Sequence, residues 1–145
     1  MLSVAHVMTE TVYTLTPGHS VADAWELMSD HHIHHLPIAD EDGTLRGLIS
    51  QHDLLKQGKS SSKTLGEIMI THVQTIDKHE PVRSAAMIMH QKRLRCLPVV
   101  DKERLIGIVT DTDFVAVAIH LMEQLELSEP EPDDDLIEFD SPDTQ

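Results

Sequence analysis

The sequence predicts an α/β fold of the α+β kind, built as two β-α-β-β-α units packed in a pseudo-twofold pair. Three observations carry this: an internal repeat, an alternation of helical and extended periodicity inside each copy, and a length change between copies that falls at a turn. A shift of 61 residues brings Met8 onto Met69, Val12 onto Val73, Val21 onto Val82, Ala24 onto Ala85, Met28 onto Met89, Leu36 onto Leu97, Pro37 onto Pro98 and Asp40 onto Asp101. Beyond that point the shift is 60 and pairs Gly47 with Gly107 and Asp53 with Asp113. The missing residue lies beside Asp42-Gly43, a hairpin signal, and loop tips are where length changes cost least. Two copies of a unit longer than a solenoid repeat point to a pair and not to an array.

In the first copy, Tyr13-Thr14-Leu15 is a short strand ended by Pro17-Gly18. Ser20 is then a good N-cap for a helix with Val21, Ala24, Trp25 and Met28 on one face, stopping near Asp30. Leu36-Pro37-Ile38 and the apolar run 45–50 flank Asp40-Glu41-Asp42-Gly43, the pattern of a hairpin. Pro37 has no N–H for a ladder, which puts its strand at an edge or makes Pro37 its beginning. A second helix starts near Gln51. The second copy repeats the order: a strand over 73–76, Pro81 in a first helical turn, Val82, Ala85, Ala86 and Met89 as the buried stripe, then a hairpin of 97–100 with 105–110. Its closing helix, from about Asp111, is apolar nearly all round over 114–119, so it needs cover from the other copy or from another subunit. The chain is accordingly divided into a first unit with its lead-in over 1–58, a linker over 59–63, a second unit over 64–127 and an acidic tail over 128–145.

The net charge of −14 is concentrated at the end: ten of the 25 acidic residues lie from Glu123 onward, where Lys and Arg are lacking. The body before them holds 15 acidic against 11 basic residues, a balance of −4. Such a body does not attract a phosphate backbone, and with 3% aromatics it lacks stacking platforms, so nucleic acid is excluded as a general partner. No apolar run spans a bilayer, and the N-terminus lacks the features of a signal peptide, which makes the expected compartment cytoplasmic with no membrane partner. Cys96 is the lone thiol, expected as a small buried hydrophobe. The tail, with Pro130, Pro132 and Pro142 among its acids, is expected to be disordered. Its Leu136, Ile137 and Phe139 offer a docking motif, although a solubilising role is the commoner one for such segments.

The strand-to-helix turns carry the chemistry. A hydroxyl at Ser50 or Thr110, three residues before Asp53 or Asp113, is first a helix-start signature in which the hydroxyl caps backbone N–H groups. The same turn also offers free N–H donors to a phosphate, and a carboxylate one turn along can accept two hydrogen bonds from the vicinal hydroxyls of a ribose.

The ordered set His35-Leu36-Pro37-Ile38-Ala39-Asp40 and Gly47-Leu48-Ile49-Ser50-Gln51-His52-Asp53, answered by Cys96-Leu97-Pro98-Val99-Val100-Asp101 and Gly107-Ile108-Val109-Thr110-Asp111-Thr112-Asp113, resembles a tandem pair of CBS (cystathionine beta-synthase type) domains over residues 4–122. That resemblance implies a regulatory module and not an enzyme, binding an adenosine-containing nucleotide in the cleft between units: AMP, ADP, ATP or S-adenosylmethionine, the nucleotides with or without Mg²⁺. It implies Asp53 and Asp113 for ribose and Ser50 and Thr110 for phosphate. Base contacts are implied near Val12, His34 and His35 in one site and near Val73, Arg95 and Cys96 in the other. Some members carry Arg before the ribose Asp; His52 and Thr112 stand there instead, so His52 serves phosphate only when protonated. A homodimer and an unidentified protein target are further implications, with no cofactor required.

Two other readings come from the residues. A scaffolding pair would use the two turns only as helix caps. A metal sensor would use His31, His32, His34 and His35, but adjacent histidines on a strand point to opposite faces, so no metal ligand is assigned. Phosphate-loop and His-Glu-x-x-His motifs are lacking, and Asp111 beside Asp113 reads as a helix-start residue and not as half of an acid-base pair.

Overall fold

The computed structural model describes residues 2–128; Met1 and the tail from residue 129, with its proposed docking motif, lie outside the described residues. In chain order the elements are α1 (Val4–Val7), α2 (Val21–His31), β1 (His35–Ala39), β2 (Leu45–Ser50), α3 (Gln51–Gln57), α4 (Leu65–Ile68), β3 (Ile76–Asp77), α5 (Val82–Lys92), β4 (Cys96–Asp101), β5 (Arg104–Thr110) and α6 (Asp111–Ser128). β1 pairs antiparallel with β2, and β4 pairs antiparallel with β5 and parallel with β3. Among the described residues, no helix is long and apolar enough to cross a membrane.

Helix α2 starts on Ser20, whose side chain accepts from the Asp23 N–H while Asp23 accepts from the Ser20 N–H. It runs one residue past the expected stop, because His32 takes the left-handed conformation (φ 53°) that ends it. Arg93 (φ 56°) does the same for α5. The expected strand over 13–15 reduces to one parallel bridge, Leu15 to Ile38. The next N–H, on Thr16, is taken by His19 Nδ1 at 3.1 Å, which turns the chain away from the sheet. The expected strand over 73–76 begins later, at Ile76.

The turns account for the shift change between copies. Glu41, Asp42 and Gly43 make the first hairpin loop, with Gly43 at φ 91°. The second hairpin turns on Lys102 and Glu103 alone, both left-handed (φ 52° and 69°), as a two-residue turn with the strands' own twist requires. The hairpin tips of the two units also meet: Leu45 N–H donates to Glu103 O (3.1 Å) and Leu105 N–H to Gly43 O (2.9 Å), around a bridge between Thr44 and Arg104. These two residues are repeat equivalents, and a bridge between equivalents is what a twofold axis passing between them produces.

The units are also laced crosswise. Val4 of α1, at the start of the chain, is fully buried in the second core with Ile76, Ala85, Met89, Leu97, Val99 and Val109. Leu65 of α4, beyond the linker, completes the first core with Val21, Ala24, Met28, Leu36, Ile38, Ile49 and Leu54. Backbone bonds fix both crossings: Val4 N–H to Glu80 O at 2.8 Å and Leu65 N–H to His19 O at 2.9 Å, with bridges Thr9–Ile108 and Leu48–Ile70. The repeated Met and Gly positions explain each other here. A Cβ on Gly107 would lie 2.6 Å from Met8 Sδ, and one on Gly47 would lie 2.6 Å from Met69 Sδ.

Candidate functional site

Both strand-to-helix turns fold as reciprocal caps. Ser50 N–H donates to Asp53 Oδ2 (2.9 Å) and Ser50 Oγ accepts from Asp53 N–H (3.1 Å). Thr110 N–H donates to Asp113 Oδ2 (2.8 Å), and the Thr110 hydroxyl accepts from Asp113 N–H at 3.4 Å. The helices are clipped to the strand-leading segments of their own units, through Gln51 N–H to His34 O (2.8 Å) and Asp111 N–H to Arg95 O (3.1 Å). The carboxylates differ at their outer oxygens. Asp113 Oδ1 accepts from the Thr9 hydroxyl at 3.1 Å, whereas Ile70 stands at the Thr9 position beside the other turn.

A cleft of about 350 Å³ opens at the Thr110 turn, between the two units. It is walled by Val12, Tyr13, His34 and His35 from the first unit and by Arg95, Thr110 and Asp111 from the second. It therefore gathers Val12, His34, His35, Arg95 and Thr110 from the sequence-derived set, with Asp113 tied to its Thr9 wall. Ser50 and Asp53 lie at the equivalent turn of the first unit. His52 is exposed there, and Val73 lines a separate groove of about 360 Å³ with Thr44, Arg46 and Thr75. Cys96 is buried, and burial pushes its thiol pKa up to about 12, so it stays protonated and uncharged. Thr9 and Asp111 were not candidates from the sequence. Thr9 joins the site only because the lead-in crosses to the second unit, which a linear repeat does not display.

The histidines go to separate tasks. The His31 ring stacks on Tyr13, with centroids 3.8 Å apart and planes 17° from parallel. His32 caps α2, and His34 Nδ1 sits 2.8 Å from Gln51 Oε1. His35 is half-buried. Burial first, then the neighbouring His34 and Arg95, hold its pKa below the ordinary histidine value against the pull of Asp111 and Asp53. Among the described residues, no group of three or more His, Cys, Asp or Glu is placed to hold a metal ion. The cleft offers stacking and apolar walls beside hydrogen-bonding turns, the combination that suits a planar base carrying a hydroxylated sugar.

Comparison with known proteins follows this geometry. The family model described as the CBS domain matches residues 4–59 and again 65–120. A putative acetoin utilization protein (AcuB) from Vibrio cholerae is similar in structure at TM-score 0.80 and 41% identity, covering 90% of this chain and 99% of that one. The CBS domain pair of protein MJ0100, in complex with 5′-methylthioadenosine and S-adenosyl-L-methionine, is similar at TM-score 0.76 and 33% identity over 83% of this chain and 98% of that one. CBSX2 in complex with AMP is similar at TM-score 0.78 and 29% identity over 84% and 99%. Curated relatives include the homoserine O-acetyltransferase of Methanohalobium evestigatum, 38% identical over 76% of this chain. This chain spans only 23% of that relative's length.

Proposed function

The chain belongs to the CBS domain family, and from that premise we propose that it is a regulatory module that senses an adenosine-containing ligand, of the AMP, ADP, ATP or S-adenosylmethionine class, between its two units. The observation that carries the reading is the cleft at the Thr110 turn, whose walls come from both units and hold five residues that the family pattern assigns to the ligand. The similar pairs that bind AMP or S-adenosyl-L-methionine support the ligand class. In this reading Asp113 and Asp53 hold ribose hydroxyls, Thr110 and Ser50 hold phosphate with His52 when protonated, and Val12, His34, His35, Val73, Arg95 and Cys96 border the base. Mg²⁺ accompanies only the polyphosphates.

Sensing requires that the ligand favour one arrangement of the units over another, and walls drawn from both units allow that. We further propose a cytoplasmic homodimer acting on a separate protein target, with the unburied apolar residues of α6 as part of its dimer contact. Melting of the full chain with AMP, ADP, ATP, S-adenosylmethionine or Mg²⁺, each alone, tests the ligand reading. A ligand at about a hundred times its Kd stabilises by about 2.7 kcal/mol, a rise of several degrees in Tm. No rise with any of them would leave a scaffolding pair, whose turns serve only as caps.

A further inference from the structure

The carboxylate at the Thr110 turn is held by bonds of two different origins. Its inner oxygen, Asp113 Oδ2, accepts from the Thr110 N–H at 2.8 Å, a bond made within the turn itself. Its outer oxygen, Oδ1, accepts from the hydroxyl of Thr9 at 3.1 Å, across 104 residues of sequence. The backbone of Thr9 is in turn fixed on β5, where its N–H donates to Ile108 O (2.8 Å) and its carbonyl accepts from Ile108 N–H (3.0 Å). The hydroxyl therefore starts from a set point beside the turn, and Thr9 and Thr110 line the same cleft of about 350 Å³.

The repeat supplies a comparison inside the molecule. Ile70 makes the same two backbone bonds with Leu48, both at 3.0 Å, yet brings no hydroxyl to Asp53. The backbone frame alone does not produce the bond to Asp113; the choice of Thr at position 9 does. A carboxylate held at one oxygen can still pivot about its last torsion, whose energy wells are broad, and a second bond at the other oxygen fixes its plane. Each carboxylate oxygen has two lone pairs, so Oδ1 keeps one for a ligand after accepting from Thr9. We infer that Thr9 is a positioning residue: its hydroxyl sets the plane of the Asp113 carboxylate so that Oδ1 meets a ribose hydroxyl, which makes the lead-in of the first unit part of sugar recognition at the second unit's turn. This rests on the adenosine-ligand reading above and deepens it, because an acceptor oriented in advance discriminates against a sugar that lacks the hydroxyl.

Calorimetric titration of the full chain with AMP and with adenosine, each beside its 2′,3′-dideoxy counterpart, reads the preference for ribose as a ratio of affinities. The parent should favour the ribose forms. Thr9→Val keeps the β-branch at an exposed position and removes the donor. It should lower the ratio by about three-fold or more, the scale of one lost hydrogen bond. Thr9→Ser, which keeps the hydroxyl, should hold the ratio within about three-fold of the parent's. A purely structural role for Thr9 would weaken ribose and dideoxyribose forms alike; an unmoved ratio in the Val variant, or a Ser variant that loses as much as Val, shows positioning to be wrong while the adenosine reading stands. A parent that binds both sugars equally removes Asp113 as the ribose acceptor and this inference with it, again leaving the ligand class intact. If the parent binds neither AMP nor adenosine, that reading falls and takes this one with it.

Discussion

At the scale of single residues, close approaches and burial set the strongest constraints. A Cβ at Gly47 would lie 2.8 Å from the Ile70 carbonyl oxygen, a backbone atom held by its own bridge to Leu48, whereas at Gly107 the nearest backbone atom is Thr9 O at 3.1 Å. Gly47→Ala should therefore destabilise by about 1–3 kcal/mol and Gly107→Ala by less. Gly18→Ala, with open space around its site, should be neutral or stabilising by up to about 1 kcal/mol. Urea melts of the three variants check the order. His35 gives a pH dependence of known sign. Its folded-state pKa is lowered, so on acidification the unfolded chain takes up the proton first. The associated stability is complete above the unfolded value of about 6.5 and is lost as pH falls through it toward the folded value. Between about pH 7.5 and 5.5 the parent Tm should drop more steeply than that of His35→Gln; parallel slopes would refute the assignment.

At the scale of elements, the short helices matter more than their length suggests. Leu65 lies outside the repeat's main run of elements but is fully buried in the first core, so Leu65→Ala should cost about 2–5 kcal/mol. Trp25, the chain's one tryptophan, packs on that same core, and unfolding followed by its fluorescence should register the loss directly. Helix α6 makes the opposite case. It buries none of its residues within one chain, and Val115, Ile119 and Met122 are 58%, 52% and 56% exposed. Apolar side chains at spacings of four and then three lie on one face of a helix and call for cover. If α6 forms the proposed dimer contact, Val115→Glu with Ile119→Glu should lower the mass in light scattering from that of a dimer to that of a monomer while leaving the circular dichroism of the fold in place. An unchanged mass would remove α6 from the contact.

At the scale of the whole molecule, the repeat made most of the architecture legible, because identical spacing of Ala24/Ala85, Leu36/Leu97 and Pro37/Pro98 reflects two copies of one core. The caps at Ser50 and Thr110 were legible for the same reason: a hydroxyl and a carboxylate three apart satisfy helix N–H groups wherever they occur. What could not be read was which copy each lead-in serves, since Met8 precedes the first unit in sequence yet seats on Gly107 of the second. Thr9, and with it the outer oxygen of Asp113, was hidden by that same crossing. The crossing has a consequence for fragments. Residues 10–75 contain all of the first core, including Leu65, whereas residues 1–63 lack Leu65 and carry α1 with no second core to receive it. The fragment 10–75 should therefore show a cooperative melt and a dispersed amide spectrum, and 1–63 should show neither. Residues 71–128 lack Val4, so a peptide of residues 2–9 added in trans should stabilise them in proportion to its concentration, as mass action requires of a segment that binds only the folded form. If 1–63 folds as well as 10–75, the crossing contributes little to stability and the two units stand independently.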